Sequence, residues 1–340
     1  MAVFSSLLVV AVVAGAVLTY VGVQTVRDST AGRTLASTDP SEPGFEGFLE
    51  PTPTLLVVHE SEGSLRSLAL LGLASHDTGG AVLLIPPSMR VESEDYAGPL
   101  SVAYAFGGGI ESIFHHVEAL LGVGITEHVI VEDARWSRLT APVGPLVVDI
   151  AEAVEGEGDL SRMARVQRFW EAWLAAVAEA NDPAAVPGEV ESGIGRFVRS
   201  LSAGAREVAL LPVLEDVGTD GATVLRIDPA PAAELVARVV PFPRGHVEGA
   251  RTRVRLLDGT GTPDHALGAA PLIVRASAEI VIVGNADAFE QPRQTEIRYH
   301  AASQEEAAER LREALGTGVV VADARQVDSF DVTIVLGTDI

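Results

Sequence analysis

Runs of apolar residues without polar alternation constrain this fold more than any other feature of the sequence. Residues 55–59 (LLVVH) and 81–85 (AVLLI) have the length of strands, and residues 129–131 and 146–150 are similar but shorter. A strand with no polar face is covered on both sides, so these runs predict a sheet between two layers of helices. Helical periodicity is found at residues 110–121, 160–180 and 232–239. The pattern predicts a three-layer α/β/α domain over residues 54–240.

The pattern starts again after the turn-forming segment PFPRG at residues 241–245. Strands are predicted at residues 251–257, 279–283, 294–299 and 331–336, and helices at residues 265–273 and 303–315. Ser303 and Glu306 have the spacing of a capping box at the start of the second helix. The order βαββαβ predicts a small C-terminal sandwich over residues 248–340.

The amino-terminal segment has no charged residue from Ala2 to Val26. About 20 mostly apolar residues can cross a bilayer as one helix, so residues 1–27 are predicted to form a single-pass transmembrane helix. Residues 28–53 are rich in Ser, Thr, Pro and Gly and are predicted to be a linker. The small residues at 14–16 leave a cleaved signal peptide as the alternative. Arg27 and Arg33 follow the predicted span, and by loop charge alone they favour a cytoplasmic location for the residues after it.

Composition excludes several classes of function. The formal charge of −23 opposes binding to nucleic acid, because phosphate contacts would work against the overall field. The chain has no cysteine, which excludes disulfides and thiolate metal sites. It also has no lysine, so all 24 basic residues are arginine. Any phosphate contact from a basic side chain must therefore come from arginine, whose planar fork suits bidentate binding.

Two segments could bind an anion. Arg162 and Arg165 are three residues apart on a predicted helix, so they share a face and could clamp a diphosphate, although a solvated helix face has the same appearance. A glycine-rich turn at residues 107–109 follows Tyr104 and precedes a helix. It could receive an anion at the helix N-terminus, or could simply allow the backbone to pack closely.

These segments resemble motifs of the LytR-CpsA-Psr family of cell-envelope proteins. Residues 117–131 (VEALLGVGITEHVIV) are similar to the family's helix, Leu-Leu-Gly-Ile loop and following strand, and residues 101–108 (SVAYAFGG) resemble its Asn-Ala-Ala-Tyr-x-x-Gly-Gly motif. Asp159, Arg162, Arg165 and Gln167 resemble its Asp-x-x-Arg-x-x-Arg-Gln-Gln helix. Residues 254–261, 284–286, 295–297 and 335–339 resemble the LytR C-terminal domain that is often attached.

The resemblance implies a cell-membrane protein with one span, whose C-terminal part is extracytoplasmic. Proteins of this type transfer a glycopolymer from a polyprenyl-diphosphate carrier onto peptidoglycan. In them, arginines hold the diphosphate, an apolar tunnel holds the lipid, and acidic residues bind a divalent metal. The implied partners are a polyprenyl phosphate or pyrophosphate lipid, a cell-wall glycopolymer or peptidoglycan, and the membrane, with no nucleic acid.

Several family positions are replaced in this chain. Pro53 stands where the family has an aspartate, and Pro87 and Ser88 stand where it has an arginine and an aspartate. The acidic metal ligands do not survive at matching positions, so no metal site is predicted, and Mg²⁺ is expected only if the site is active. The residues predicted to bind the phosphate or lipid carrier are Arg162, Arg165, Gln167, Tyr104 and Arg90.

Two hypotheses follow from these replacements. The first is carrier binding with weakened or lost transferase activity. The alternative is an active glycopolymer–peptidoglycan phosphotransferase with a rearranged site, using Arg90, Arg162 and Arg165 with Glu92, Glu94 or Asp95. A transcriptional regulator is a third class, which the charge of −23 and the lack of a basic recognition helix oppose.

Overall fold

The structure is a computed structural model that describes residues 39–74, 78–93, 95–141, 158–180, 191–217, 223–262, 265–323, 325 and 327–340. The predicted anchor at residues 1–27, the first part of the predicted linker and the predicted strand at residues 146–150 lie outside the described residues. In the part of the chain that is described, no helix combines the length and the apolar character that a membrane span needs.

The chain divides into two compact units. The large unit comprises Glu50–Thr252 with Pro271–Glu279, and the small unit comprises Arg253–Ala270 and Ile280–Ile340 with the described residues up to Leu49. In chain order the strands are β1 (Glu46–Phe48), β2 (Thr54–Ser61), β3 (Ser64–Leu73), β4 (Gly80–Ile85), β5 (Arg90–Glu92), β6 (Ala97–Pro99), β7 (Glu127–Glu132), β8 (Arg206–Leu210), β9 (Val213–Val217), β10 (Thr223–Ile227), β11 (Thr252–Asp258), β12 (Ala278–Asn285), β13 (Glu296–Tyr299), β14 (Val319–Ala322) and β15 (Val332–Leu336). The helices are α1 (Leu100–Gly107), α2 (Ile110–Leu121), α3 (Asp133–Thr140), α4 (Asp159–Ala180), α5 (Gly193–Ala203), α6 (Pro229–Val239), α7 (His265–Arg275) and α8 (Glu305–Leu315).

The large unit has the predicted three layers. Its central sheet has the strand order β7-β2-β3-β4-β8. Successive side chains of a strand point to opposite faces, and each face is apolar here. Leu56 and Val58 of β2 pack with α1, α2 and α6, whereas Leu55 and Val57 pack with α3, α4 and α5. The runs without polar alternation are therefore strands that are buried on both faces.

Strand β3 was not predicted from the sequence, although it is the central strand of the sheet. It follows β2 through a tight turn in which Glu62 and Gly63 both have positive φ, 52° and 72°. Near its end, a Cβ on Gly72 would lie 2.2 Å from the backbone oxygen of Val239, so only glycine lets the end of α6 approach this closely. The sequence SLRSLALLGL lacks strict alternation, and this is why the period alone did not identify a strand.

The small unit has two more strands than the predicted βαββαβ order. Its six-stranded sheet has the order β1-β12-β11-β15-β13-β14. Strand β14 adds an edge beside β13, and β1 adds the other edge by pairing antiparallel with β12, with Glu46 opposite Gly284. Strand β1 lies inside the predicted linker at residues 28–53, so this part of the linker prediction is wrong.

The predicted capping box of Ser303 and Glu306 does not begin the helix. A short 3₁₀ turn, Ala302–Gln304, precedes α8. The side-chain oxygen of Gln304 accepts hydrogen bonds from the backbone N–H groups of His300 at 3.1 Å and Ala301 at 2.9 Å. The cap is therefore formed earlier in the chain and by a carboxamide.

Candidate functional site

Four strands of the large unit end at one edge of the sheet. Strands β2 and β7 are parallel, as are β4 and β8, and β3 is antiparallel to both β2 and β4. The carboxyl ends of β2, β4, β7 and β8 therefore meet at one edge, which we call the carboxyl edge. In open α/β sheets, ligands bind outside the carboxyl ends of the strands, so this edge is where a site is expected.

The first cluster at the carboxyl edge consists of Ser88, Asp159 and Arg162, and we call it the Asp159 cluster. Ser88 follows β4, and its backbone N–H donates to Asp159 Oδ2 at 3.0 Å. Arg162, one turn further along α4, donates through Nη2 to Asp159 Oδ1. The loop after β4 and the start of α4 are thus joined by one carboxylate, as the spacing of Asp159 and Arg162 on a helix allows.

Two polar atoms of the Asp159 cluster have no hydrogen-bond partner among the described residues. They are Arg162 Nε and Ser88 Oγ, and both are buried. A buried polar group without a partner costs free energy, so two such atoms beside one carboxylate mark a place where a polar ligand would be stabilised.

The other predicted site residues are not all brought to this cluster. Arg165 lies half-buried on α4. Gln167 donates through Nε2 to the backbone oxygen of Val208 at 3.0 Å and to Glu171 at 3.1 Å, so it fastens α4 to β8. Arg90 lies in the two-stranded β5–β6 sheet, where its Nε donates to Glu92 at 3.1 Å.

Tyr104 lies in the helix layer on the other face of the sheet from α4. Its hydroxyl donates to Glu60 at the end of β2. Burial, then the hydrogen bond to Glu60 and last the charge of Glu60 raise the pKa of Tyr104, which keeps the hydroxyl protonated as the donor. The glycine-rich turn after Tyr104 links α1 to α2, with φ of 98° at Gly108 and 86° at Gly109. The amide of Gly109 donates to the backbone oxygen of Tyr104, so this N–H is used within the turn and not by an anion. Close packing is found at Gly107, where an added Cβ would lie 2.5 Å from a side chain of α2, whereas Gly108 and Gly109 have open space beside them.

The second cluster at the carboxyl edge, which sequence reasoning missed, consists of His59, Ser61 and Asp133. His59 Nε2 lies 3.0 Å from Asp133 Oδ1, and the Ser61 hydroxyl donates to Asp133 Oδ2 at 2.5 Å. The imidazole is 3% exposed and stacks on the ring of Trp136, with centroids 4.7 Å apart. In the sequence, His59 ends one apolar run and Asp133 follows another after Glu132, but their contact depends on the parallel register of β2 and β7.

Electrostatics set the protonation of this second cluster. Burial lowers the pKa of His59, and the hydrogen bond to Asp133 offsets this only in part. The hydrogen bond from Ser61 lowers the pKa of Asp133. The pair therefore consists of a neutral imidazole and a carboxylate at neutral pH.

The free energy of unfolding is expected to fall as the pH is lowered below 6.5, the ordinary pKa of histidine. Below this pH, His59 is protonated in the unfolded chain but stays neutral in the folded chain. Stability therefore decreases until the pH reaches the lowered pKa of His59 in the folded chain. Urea unfolding between about pH 7.5 and 5.5 measures this. His59→Asn should reduce the dependence, and part of it should remain because burial also lowers the pKa values of His116 and His300. His128→Asn, at an exposed histidine, should preserve it. An equal pH dependence in His59→Asn would contradict the assignment.

The acidic residues at the carboxyl edge do not fit a shared divalent metal. Glu60 is bonded to Tyr104, Asp133 to His59 and Ser61, and Asp159 to Arg162 and Ser88. Within the described ranges, no three His, Asp or Glu side chains are grouped closely enough to hold a metal ion.

The fold and the site define a two-unit α/β protein with a candidate anion site at the carboxyl edge of the five-stranded sheet in its large unit. Residues 251–339 match the family model LytR_C, described as LytR cell envelope-related transcriptional attenuator. The LytR-type C-terminal domain predicted from the sequence is thus confirmed. No curated protein matches the chain.

Several solved structures resemble the chain. TagT of Bacillus subtilis is 12% identical, with 60% of this chain and 93% of that chain covered and a TM-score of 0.44. TagV of B. subtilis is 14% identical, with coverage of 56% and 96% and a TM-score of 0.47. A transcriptional regulator (EF0465) from Enterococcus faecalis is 16% identical, with coverage of 55% and 86% and a TM-score of 0.44. At these identities and TM-scores, the likenesses carry no argument about the activity of this chain.

Proposed function

We propose that this chain is a cell-envelope protein that binds a polyprenyl phosphate or pyrophosphate carrying a cell-wall glycopolymer. The phosphate is held at the carboxyl edge by Arg162 and Arg165, and transferase activity is weakened or lost. The observation that supports this most is the Asp159 cluster, in which Arg162 Nε and Ser88 Oγ are buried beside a carboxylate without partners among the described residues. The proposal places the protein in the cell membrane through residues 1–27, with its body outside the cytoplasm.

The same cluster explains why transfer would be weak. Catalysis of phosphoryl transfer depends on cations placed in advance around the phosphate oxygens. Here the guanidinium of Arg162 is already bonded to Asp159, so a phosphate must compete with a carboxylate. The replaced residues Pro87 and Ser88 supply neither a second cation nor an acid. Binding without efficient transfer follows.

The alternative of an active ligase is less well supported. It requires Glu92, Glu94 or Asp95 as an acid near Arg90. Glu92 accepts hydrogen bonds from both Arg90 and Arg226, and the bond from Arg90 is the main reason that the pKa of Glu92 is lowered. Its charge is therefore already compensated. Glu94 lies outside the described residues.

Asp159→Asn is expected to tighten binding of a polyprenyl phosphate roughly tenfold, because it removes the charge that competes for Arg162. The carboxamide oxygen can still accept the N–H of Ser88, so the loop after β4 is preserved. Farnesyl phosphate, titrated against the full chain in detergent micelles, is a suitable probe, and farnesol shows how much binding comes from the lipid alone.

Asp216→Asn, at an exposed residue of β9, is the matched control and should leave the affinity unchanged. If neither the unmodified chain nor Asp159→Asn binds farnesyl phosphate more tightly than farnesol, the proposed function is wrong. Efficient transfer of a glycopolymer by the unmodified chain would instead show that the activity is retained.

A further inference from the structure

The small unit contains a cavity that the proposed function does not use. Its volume is about 400 Å³, within the range of roughly 300–1,000 Å³ that is usual for small-molecule sites. One wall comes from the end of β11 and the start of α7, and another from the end of β12. A third comes from Pro40, Ser41 and Phe45, which precede β1. The cavity therefore exists only because the segment before β1 packs on the small unit.

Polar side chains are fixed along one side of this cavity. The carboxylate of Asp258, at the end of β11, accepts the N–H and the hydroxyl of Thr260 through Oδ1, both at 2.8 Å. His265 Nδ1 lies 3.0 Å from the same hydroxyl and 3.7 Å from Asp258 Oδ1, and its Nε2 lies 3.4 Å from the backbone oxygen of Ile340. Asn285 donates through Nδ2 to the backbone oxygens of Pro40 and Glu42, at 2.8 and 2.7 Å. These bonds orient the polar groups in advance of any ligand.

Two aromatic rings supply the apolar side of the cavity. Phe45 and Phe289 both line it and are half-buried. The ring of Phe289 packs close to the backbone of Gly261, where an added Cβ would lie 3.0 Å from the ring. The ring of Phe289 is therefore held in place by a turn that has no room for a side chain. Rigid apolar rings beside oriented polar groups are typical of ligand sites.

We propose that this cavity binds a short neutral saccharide. Sugar hydroxyls donate and accept hydrogen bonds and suit a wall that presents a carboxylate and a carboxamide, while the C–H faces of a sugar ring pack on aromatic rings. The carboxylate of Asp258 repels phosphate and other anions. Its Oδ1 already accepts two donors, and His265 lies beside it, so an ammonium group would gain little there. The choice of a wall-type glycan rests on the proposed function, but the preference for a neutral sugar does not.

Titration of the full chain with chitotriose, a neutral trimer of N-acetylglucosamine, tests the proposal by calorimetry or ligand-observed NMR. Phe289→Ala is expected to weaken binding tenfold or more, on the order of what loss of a well-packed aromatic contact costs. Asp258→Asn keeps the shape of the cavity and should also weaken binding. The matched control is Phe48→Ala, in the same segment as Phe45 but 86% exposed and not part of the cavity lining; it should bind as the unmodified chain does.

Three results would overturn the proposal. They are no saturable binding of chitotriose by the unmodified chain, equal weakening in Phe48→Ala, and tighter binding of cadaverine or inorganic phosphate than of chitotriose. Unfolding curves for each variant show whether Phe289→Ala remains folded. Testing each variant with the ligand of the other site distinguishes a failure of this proposal from a failure of the proposed function. Phe289→Ala should bind farnesyl phosphate normally, and Arg162→Ala should bind chitotriose normally.

Discussion

Replacing Trp173 by alanine is expected to lower the free energy of unfolding by about 3–5 kcal/mol, the range for deleting a buried aromatic side chain. Trp173 has no exposed surface and lies in a cluster with Trp136, Phe169 and Trp170, with ring centroids 5.1–6.1 Å from its own. This cluster fills the layer between the sheet and α4. Urea unfolding followed by circular dichroism measures the change.

Trp173→Phe is the matched control, because it keeps an aromatic ring in the cluster and leaves a smaller void. It should cost clearly less than the alanine replacement, because the loss of stability grows with the volume of the void that is left. Equal losses for the alanine and phenylalanine variants would mean that the packing of this ring is not what stabilises α4 on the sheet.

The double replacement Arg162→Ala/Arg165→Ala is expected to weaken binding of farnesyl phosphate by about a hundredfold. Each arginine–phosphate contact contributes about 1.5–3 kcal/mol, and neighbouring contacts are not fully additive. The same titration in detergent micelles measures the affinity, and binding of farnesol should not change.

Arg196→Ala/Arg199→Ala is the matched control for this pair. These arginines have the same three-residue spacing on α5, which begins beside Glu127, the first residue of β7, and so at the opposite edge of the sheet. The affinity should remain that of the unmodified chain. An unchanged affinity in Arg162→Ala/Arg165→Ala would remove the phosphate site from the proposed function.

Elements that are specified by their own residues could be predicted. Helix α2 has the predicted bounds, because its apolar spacing is regular and Gly109 and Gly122 stand at its two ends. Strands β2 and β4 were identified because both of their faces are apolar. In contrast, β1 is only three residues long and has no apolar run. It is a strand only because its backbone forms hydrogen bonds with β12, and its own residues contain no pattern that predicts this pairing.

The site divides in the same way. The sequence predicted that Arg162 shares a helix face with Arg165. Its bond to Asp159, three residues before it, fits the same helical spacing but was not predicted. The contact of Asp159 with Ser88, and that of His59 with Asp133, depend on which strands are neighbours. The members of these pairs are 71 and 74 residues apart in the sequence, so no rule of local spacing predicts their contact. Tyr104 was identified, but its partner Glu60 was not, for the same reason.

The pairing of β1 with β12 has a consequence for how the chain is made. Nearly the whole large unit lies between these two strands in the sequence. At a synthesis rate of about 5–20 residues per second, β1 leaves the ribosome on the order of ten seconds or more before its partner exists. The large unit can fold during that interval, whereas the small unit must wait for both ends of the chain. A fragment beginning at residue 248 would lack β1 and would leave the edge of β12 open, and an open strand edge is a site for aggregation.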